Sequence, residues 1–496
     1  MKIHKLFLLI CMALIVSSMY AGGGRQEAAV GGTPRVSILL SGDNTPNAQN
    51  LVLDELGKQT NTIIDMIYVP GNDRATRLST MVAGGTPPDI FSTDAATATE
   101  FKNAGILANL TSYLTAQKAP NVLAECGDIL SLSPVNNNGI YMILSKRMGW
   151  VPQLNIRTDW LKNLGMEMPT DLESLYNVFY AFTYNDPDKN GRQDTFGLTV
   201  GVSPYAFSTV YGAYGIPKRS NIILDDGSVT TWVKHPQFLE AVTYIRRLIE
   251  DKLVEPDWAT IPQMDMFGKL WNGVAGALEW ECVGPTNNWM PGRYTEAVPP
   301  TFGFPVIKGP QGKHGTPKSF ANYMGGYVIS AKADIDAAIR IADYCKRPEG
   351  SDLLYLGVEG VMFQWTNKAD GKYEYLGQYK DDIVHRAAGG FCYWDLFVPF
   401  DNAQLRTLNQ QTQEGVAQAY AEGLENTANI IAVLQSRVNF GAELDQIINE
   451  MEAQLYVTNE NLRTVYDRYM REWERAGGTE WEKEANDAWN AQGRKG

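Results

Sequence analysis

Residues 35 to 94 alternate between two periodicities, and that alternation limits the folds open to this chain. "RVSILLSGD" (35–43) is a short apolar strand that stops at Gly42-Asp43. "NAQNLVLDELGKQTN" follows with helical spacing, then "TIIDMIYVPG" as a second strand, "NDRATRLSTMVAGG" as a glycine-ended helix and "TPPDIFSTDA" as a third strand. Strand–helix–strand–helix–strand order requires a parallel sheet with right-handed crossovers. In such sheets ligands sit beyond the carboxyl ends of the strands. Those ends are Ser41 to Asn44 and Ser92 to Asp94, so Asp43 and Asp94 are candidate polar contacts. A helix cap is the other reading of Ser92 and Asp94, and both stay open.

The first residues are a leader. Lys2 and Lys5 precede an apolar run from Leu6 to Val16, then "SSMYAGGG". The run is too short to span a bilayer and fits a secretory signal ending near Ala21. Cys11 lies inside that run behind the bulky Ile10, a poor setting for lipid attachment. Residues 1–21 are thus a cleavable signal and 22–33 a flexible tether, which makes the protein periplasmic or extracellular. A net charge of −13 argues against nucleic acid and anionic membranes as partners. Cys126, Cys282, Cys345 and Cys392 are widely spaced and form no metal-ligand doublet; pairing among them stays open.

"NDPDKNGRQDTFG" (185–197) sets Asp186, Asp188, Asn190 and Asp194 around Gly191 at positions one, three, five and nine of a calcium-type loop. The carbonyl of Arg192 takes position seven. Position twelve, a bidentate glutamate in a full EF-hand, is Gly197. A polar turn is the alternative, since Asp, Asn and Gly suit any turn. As a metal site the loop would hold structural calcium.

Further helices are expected at "TDWLKNLG", "DLESLYNVFYAFTY" and "HPQFLEAVTYIRRLIEDKLV", with strand-like returns at "GVAGALEWECVGP" and "NYMGGYVIS". "FGFPVIKGPQGK" reads as a hairpin, and the last ~100 residues as mostly helical.

With these segments in view, the chain resembles the extracellular solute-binding proteins, family 1, of ATP-driven sugar importers, in the branch of alginate-oligosaccharide and LplA-type binding proteins. "MVAGGTPPDIF", "NIRTDWLKNLGMEMPT", "DPDKNGRQDTFGL", "IADYCKRPEGSDLLYLGVEGV" and the helical C-terminus carry the resemblance. It implies a hinged, two-lobed α/β periplasmic-binding-protein fold (type II) with a helical C-terminal extension. One lobe is expected to hold 34–143 and 275–326, the other 146–272 and 327–496, with crossings near 140–144, 273–277 and 325–327. It also implies a monomer that closes on a saccharide and delivers it to ABC permease subunits in the membrane.

A saccharide offers apolar C–H faces to aromatic planes and a hydroxyl rim to polar groups. Aromatics at segment ends are therefore the candidates: Trp280, Tyr205, Tyr211, Trp365, Tyr393 and Trp394, whose other reading is core packing. Glu279 and Glu281 flank Trp280 and on a strand share the opposite face. Trp160, Trp258, Trp473, Trp481 and Trp489 lie in helical stretches and read as packing residues. A secreted glycoside hydrolase is the competing class; it needs a carboxylate pair at fixed separation, and nothing in the sequence singles one out. Neither H-E-x-x-H, C-x-x-C, G-x-S-x-G nor a P-loop occurs. No catalytic residue is expected. A protein-binding scaffold fits the acidic charge but not the cleft-forming layout.

Overall fold

A computed structural model describes residues 32–42, 46–70, 73–144, 152–201, 205–281, 300–315, 325–399, 402–408, 423–430 and 432–493, with a few single positions between 408 and 423. In it β1 (Arg35–Ser41) pairs in parallel with β2 (Ile63–Val69) along its whole length, from Arg35↔Ile63 to Ser41↔Val69. On its other side β1 pairs in parallel with β3 (Ile90–Asp94). The helices Leu51–Thr60 and Arg74–Ala83 make the two crossovers. The Asn50 side chain caps the first of them, and Asn61, left-handed at φ 48°, ends it.

The sheet is then completed by distant chain. β10 (Gly325–Ile329) lies antiparallel between β3 and β4 (Met142–Ile143), giving the order β2-β1-β3-β10-β4. The core of this lobe joins Val36, Ile38, Ile90 and Phe91 to Val328, Ile339, Ile341, Leu396 and Phe397. A hairpin of β11 (Phe363–Asn367) and β12 (Lys372–Tyr375) packs at its side.

The second lobe has its own core. β5 (Pro152–Arg157) is the middle of a three-strand antiparallel sheet with β8 (Ala277–Glu281) and β9 (Phe302–Gly303), while β6 (Asn221–Ile223) and β7 (Val229–Thr231) form a separate antiparallel pair. Trp160, Phe179, Phe182, Phe238 and Ile245 pack there with Leu444, Met451, Leu455, Trp473, Trp481 and Trp489. The last six come from the helices Gln435–Val457, Leu462–Trp473 and Thr479–Ala491, so the helical extension belongs to this lobe. The tryptophans expected to be packing residues are buried, except Trp258, which is half-buried.

The expected lobe boundaries need correcting. Residues 275–281 and 300–315 belong to the second lobe, because β8 and β9 both pair with β5. Residues 325–399 and 402–406 belong to the first, through β10, the helix Ile335–Cys345 and the Arg406–Asp352 ion pair. Both errors have one cause: a short apolar strand shows its own period but not the edge it will pair with. The chain therefore passes between lobes from 144 to 152, from 315 to 325 and from 406 to 426. Segment 273–277 lies inside the second lobe. Cys126, Cys345 and Cys392 are buried; Cys282 lies outside the described residues.

Gly326 fixes the spacing of the inserted strand. A Cβ there would lie 2.5 Å from the Ile143 carbonyl oxygen and 2.8 Å from Met142 Cγ. Gly326→Ala should cost roughly 1–3 kcal/mol, the usual range for overpacking. Denaturant unfolding checks this, and an unchanged midpoint would show that β4 yields freely.

Candidate ligand-binding surfaces and cation loop

Where β3 ends and β10 begins, Ser92, Thr93, Asp94, Gly325 and Gly326 open onto a pocket of ≈ 630 Å³, with Arg74, Tyr327 and Asp395 on its walls. This is the carboxyl end of a parallel strand, where α/β sheets place ligands. The Arg74 guanidinium donates to the Ser92 carbonyl and, at 2.6 Å, to its hydroxyl. Asp94 is both a cap and a wall residue: its oxygens accept from Thr97 N at 2.9 Å and Thr97 Oγ1 at 2.7 Å at the start of the helix Ala95–Asn103. Tyr327 donates to the Asp395 carbonyl at 3.3 Å and packs on Phe397. Sequence reasoning missed Asp395 and Tyr327, since neither has a local pattern.

The second lobe contributes an aromatic pair. Trp280 on β8 is half-buried; Tyr205 meets it edge-on at 4.8 Å and Phe267 edge-on at 5.4 Å. The period of two holds, and Glu279 turns to the opposite face, where it is 2 % exposed. Burial pushes its carboxyl up to about 7, against the opposing pull of the Thr209 and Ser208 backbone N–H groups and of Lys218. The Glu281 side chain lies outside the described residues, as does Asp43.

Two candidate aromatics are core residues. Tyr211 is fully buried, its hydroxyl 2.8 Å from that of Tyr456, which donates to Glu452 Oε1 at 2.5 Å. Tyr393 is fully buried and accepts from Asn50 Nδ2 at 2.8 Å, bracing the cap of Leu51–Thr60. A tyrosine whose hydroxyl finds a buried partner packs as core, and those partners lie 245 and 343 residues away in sequence. Trp365 and Trp394 are half-buried against the β11–β12 cluster. They sit on the first lobe, not on the lobe facing it.

The loop after the helix Leu172–Tyr184 is tied together by hydrogen bonds among its own polar groups. Asp186 accepts from the backbone N–H of Asn190 and Gly191, both at 3.0 Å. Asn190 Nδ2 donates to Asp188 at 2.8 Å and to Asp194 at 3.2 Å, a neutral amide donor held between two carboxylates. Burial, then Asp186 and Asp194, raise the Asp188 carboxyl above its ordinary range. Among the described residues no three His, Cys, Asp or Glu side chains converge closely enough to hold a metal ion. The donor set still suits a hard cation, with Asp186, Asp188, Asp194 and Asn190 on one turn and Gly191 at φ 76°. The empty twelfth position has a steric cause: a Cβ on Gly197 would lie 2.7–2.8 Å from Phe179.

The profile of bacterial extracellular solute-binding proteins matches residues 41–352. The chain belongs to this family. One relative is Lipoprotein LipO of Bacillus subtilis, 25% identical over 503 residues that cover 96% of this chain and 97% of LipO. The fructooligosaccharide ABC transporter substrate-binding protein FusA of Streptococcus pneumoniae is 22% identical over 87% of this chain and 85% of its own. The FusA structure in complex with kestose superposes at TM-score 0.71, with 19% identity, covering 93% of this chain and all of FusA. Alginate-binding protein AlgQ2, solved without calcium ion, superposes at 0.69 with 16% identity, covering 94% and 100%. The fold is thus the two-lobed α/β arrangement of solute-binding proteins, with a helical C-terminal region.

Because Tyr393 is core, Tyr393→Phe should lower stability by about 1 kcal/mol through the lost Asn50 hydrogen bond. Ligand affinity should be unchanged. A titration with any retained ligand distinguishes this from a binding role, which would weaken affinity without destabilising the free protein.

Proposed function

We propose that this chain is the exported solute-capturing component of an ABC importer. It takes an oligosaccharide between its lobes and hands it to the permease. The half-exposed Tyr205–Trp280 pair carries the reading: an indole steadied edge-on by two rings offers a stacking surface for a sugar, while the pocket around Asp94 and Asp395 offers polar groups for hydroxyls. Asp94, Trp280 and Tyr205 are the contacts proposed, with Trp365 and Trp394 beside them on the first lobe. FusA, a fructooligosaccharide-binding relative of similar length, supports the ligand class.

Chemistry on the sugar is not part of this reading. A hydrolase needs a general acid that reaches the glycosidic oxygen. Glu279, the carboxyl whose proton affinity suits that role, is buried on the far face of β8. Asp94 has both oxygens engaged as a cap. The protein should therefore return its glycan unchanged.

A glycan panel screened by thermal shift identifies the ligand, since a ligand bound only by the folded state raises the midpoint. Trp280→Ala should then weaken binding at least several-fold, as expected for a contact of about 1 kcal/mol or more, and change the unliganded melting temperature little. Calorimetry checks the affinity. A large loss of stability with normal affinity would make Trp280 core, and turnover of the glycan by mass analysis would replace the binder with an enzyme.

The loop at Asp186, Asp188, Asn190, Asp194 and the Arg192 carbonyl is proposed to bind structural calcium, whose charge would offset the mutual repulsion of three carboxylates. Chelation should lower the melting temperature, and Asp188→Ala should abolish that response. Identical melting with chelator and with added calcium would leave the loop a turn.

A further inference from the structure

Glu279 has no role in the reading above, and its position is costly. One carboxylate oxygen accepts from Thr209 N at 2.9 Å; the other is buried without a hydrogen-bond partner. Burying an unsatisfied carboxyl oxygen destabilises a fold, and a neutral side chain of the same shape would reduce that cost. A cation that acts on it, Lys218, is already committed: it pairs with Glu452 at 2.7 Å and donates to the Ala206 carbonyl at 2.6 Å. Among the described residues the charged and titratable groups around Glu279 are Lys218, Tyr211 on the helix Ser208–Ala213, and beyond Lys218 the Glu452 and Tyr456 of Gln435–Val457. Opposite it on β5 stands the uncharged Leu154.

The segment Glu279 holds is the one that carries Tyr205. Ser208 N closes a turn on the Tyr205 carbonyl at 2.9 Å, Phe207 is left-handed at φ 59°, and Thr209 is the second residue of the helix Ser208–Ala213. Residues 279 and 280 therefore engage one short segment from opposite faces of β8, an outer strand of its three-strand sheet. Glu279 takes the backbone at Thr209; Trp280 takes the ring at Tyr205.

We propose that Glu279 is a positioning residue, whose carboxylate anchors Tyr205–Thr209 and so holds the Tyr205 ring against Trp280. Only the identity of what the pair contacts rests on the saccharide reading; the anchoring does not. The carboxyl, raised to about 7 from an ordinary 4.5, is ionised above neutral pH and protonated below it. A charged acceptor makes the stronger hydrogen bond, so the anchor loosens as pH falls through about 7. Stability runs the other way. The folded state binds this proton more tightly than the unfolded chain, so the contribution is full below about 4.5, declines as pH rises to about 7 and is flat above. Opposite signs separate a positioning role from a merely structural one.

Tryptophan emission of the unliganded full-length protein between pH 5.5 and 8.5 tests the anchor without any ligand. Expected is a titration with its midpoint near 7, lost in Glu279→Gln and in Trp280→Phe. At pH 8 Glu279→Gln should melt higher than wild type, yet bind any glycan retained by wild type about five-fold more weakly, the factor of one hydrogen bond. An emission profile flat in wild type, or unchanged in Glu279→Gln, overturns the proposal; so does wild-type affinity in that variant at pH 8. Should Glu279→Gln fail to fold, the wild-type profile decides alone. Should no glycan bind, the saccharide reading falls while the emission arm still judges the anchor.

Discussion

The first lobe is closed by the antiparallel insertion of β10 between β3 and β4. Gly325↔Asp94 through Ile329↔Ile90 on one side, and Tyr327↔Ile143 on the other, join β10 to strands that precede the whole excursion from Ile143 to Gly325. Loop-closure entropy grows only slowly with length, so so long a return adds little cost beyond that of a shorter one, and burial of Val328 and Ile329 offsets it. The rest follows. The second lobe must be finished, apart from its C-terminal helices, before the chain comes back, and the pocket at Asp94 acquires a wall that β3 alone could not supply.

That topology divides the work between lobes. One presents hydrogen-bonding groups at strand ends, where the helix Ala95–Asn103 is already capped by the same Asp94 that faces the pocket. The other presents aromatic surface on β8. The lobes have separate cores, and on the function proposed above a ligand that touches both would favour a closed form by its differential affinity for it. On the same proposed function, a polar surface on one lobe and an aromatic one on the other suit a solute that is itself amphiphilic around its ring.

Much of this was legible in the sequence, because β1 to β3 and their helices are local patterns whose periods survive folding. The opposed directions of Glu279 and Trp280 were legible for the same reason. Lobe membership was not, since β8 and β10 are equally short and apolar and their partners are distant. Nor was the burial of Tyr211 and Tyr393, which depends on Tyr456 and Asn50 arriving from remote segments. The proton affinity of Glu279 was beyond reach too, as it comes from desolvation that exists only once the second lobe has packed.

The acidic loop and the aromatic surface are linked through covalent chain and ladder bonds. From Asp194 the chain enters an extended run in which Thr195 Oγ1 donates to the Phe182 carbonyl at 2.7 Å and Gly197 N to Thr183 Oγ1 at 3.0 Å. Two residues on, Thr199 N donates to the Ala277 carbonyl at 2.9 Å, at the start of β8. The contact that denies Gly197 a side chain is the same one that seats this run against Phe179. A glutamate at position twelve would complete the loop only by lifting the run off the helix that supports it. The loop keeps its missing ligand because the backbone there serves β8, and with β8 the orientation of Trp280.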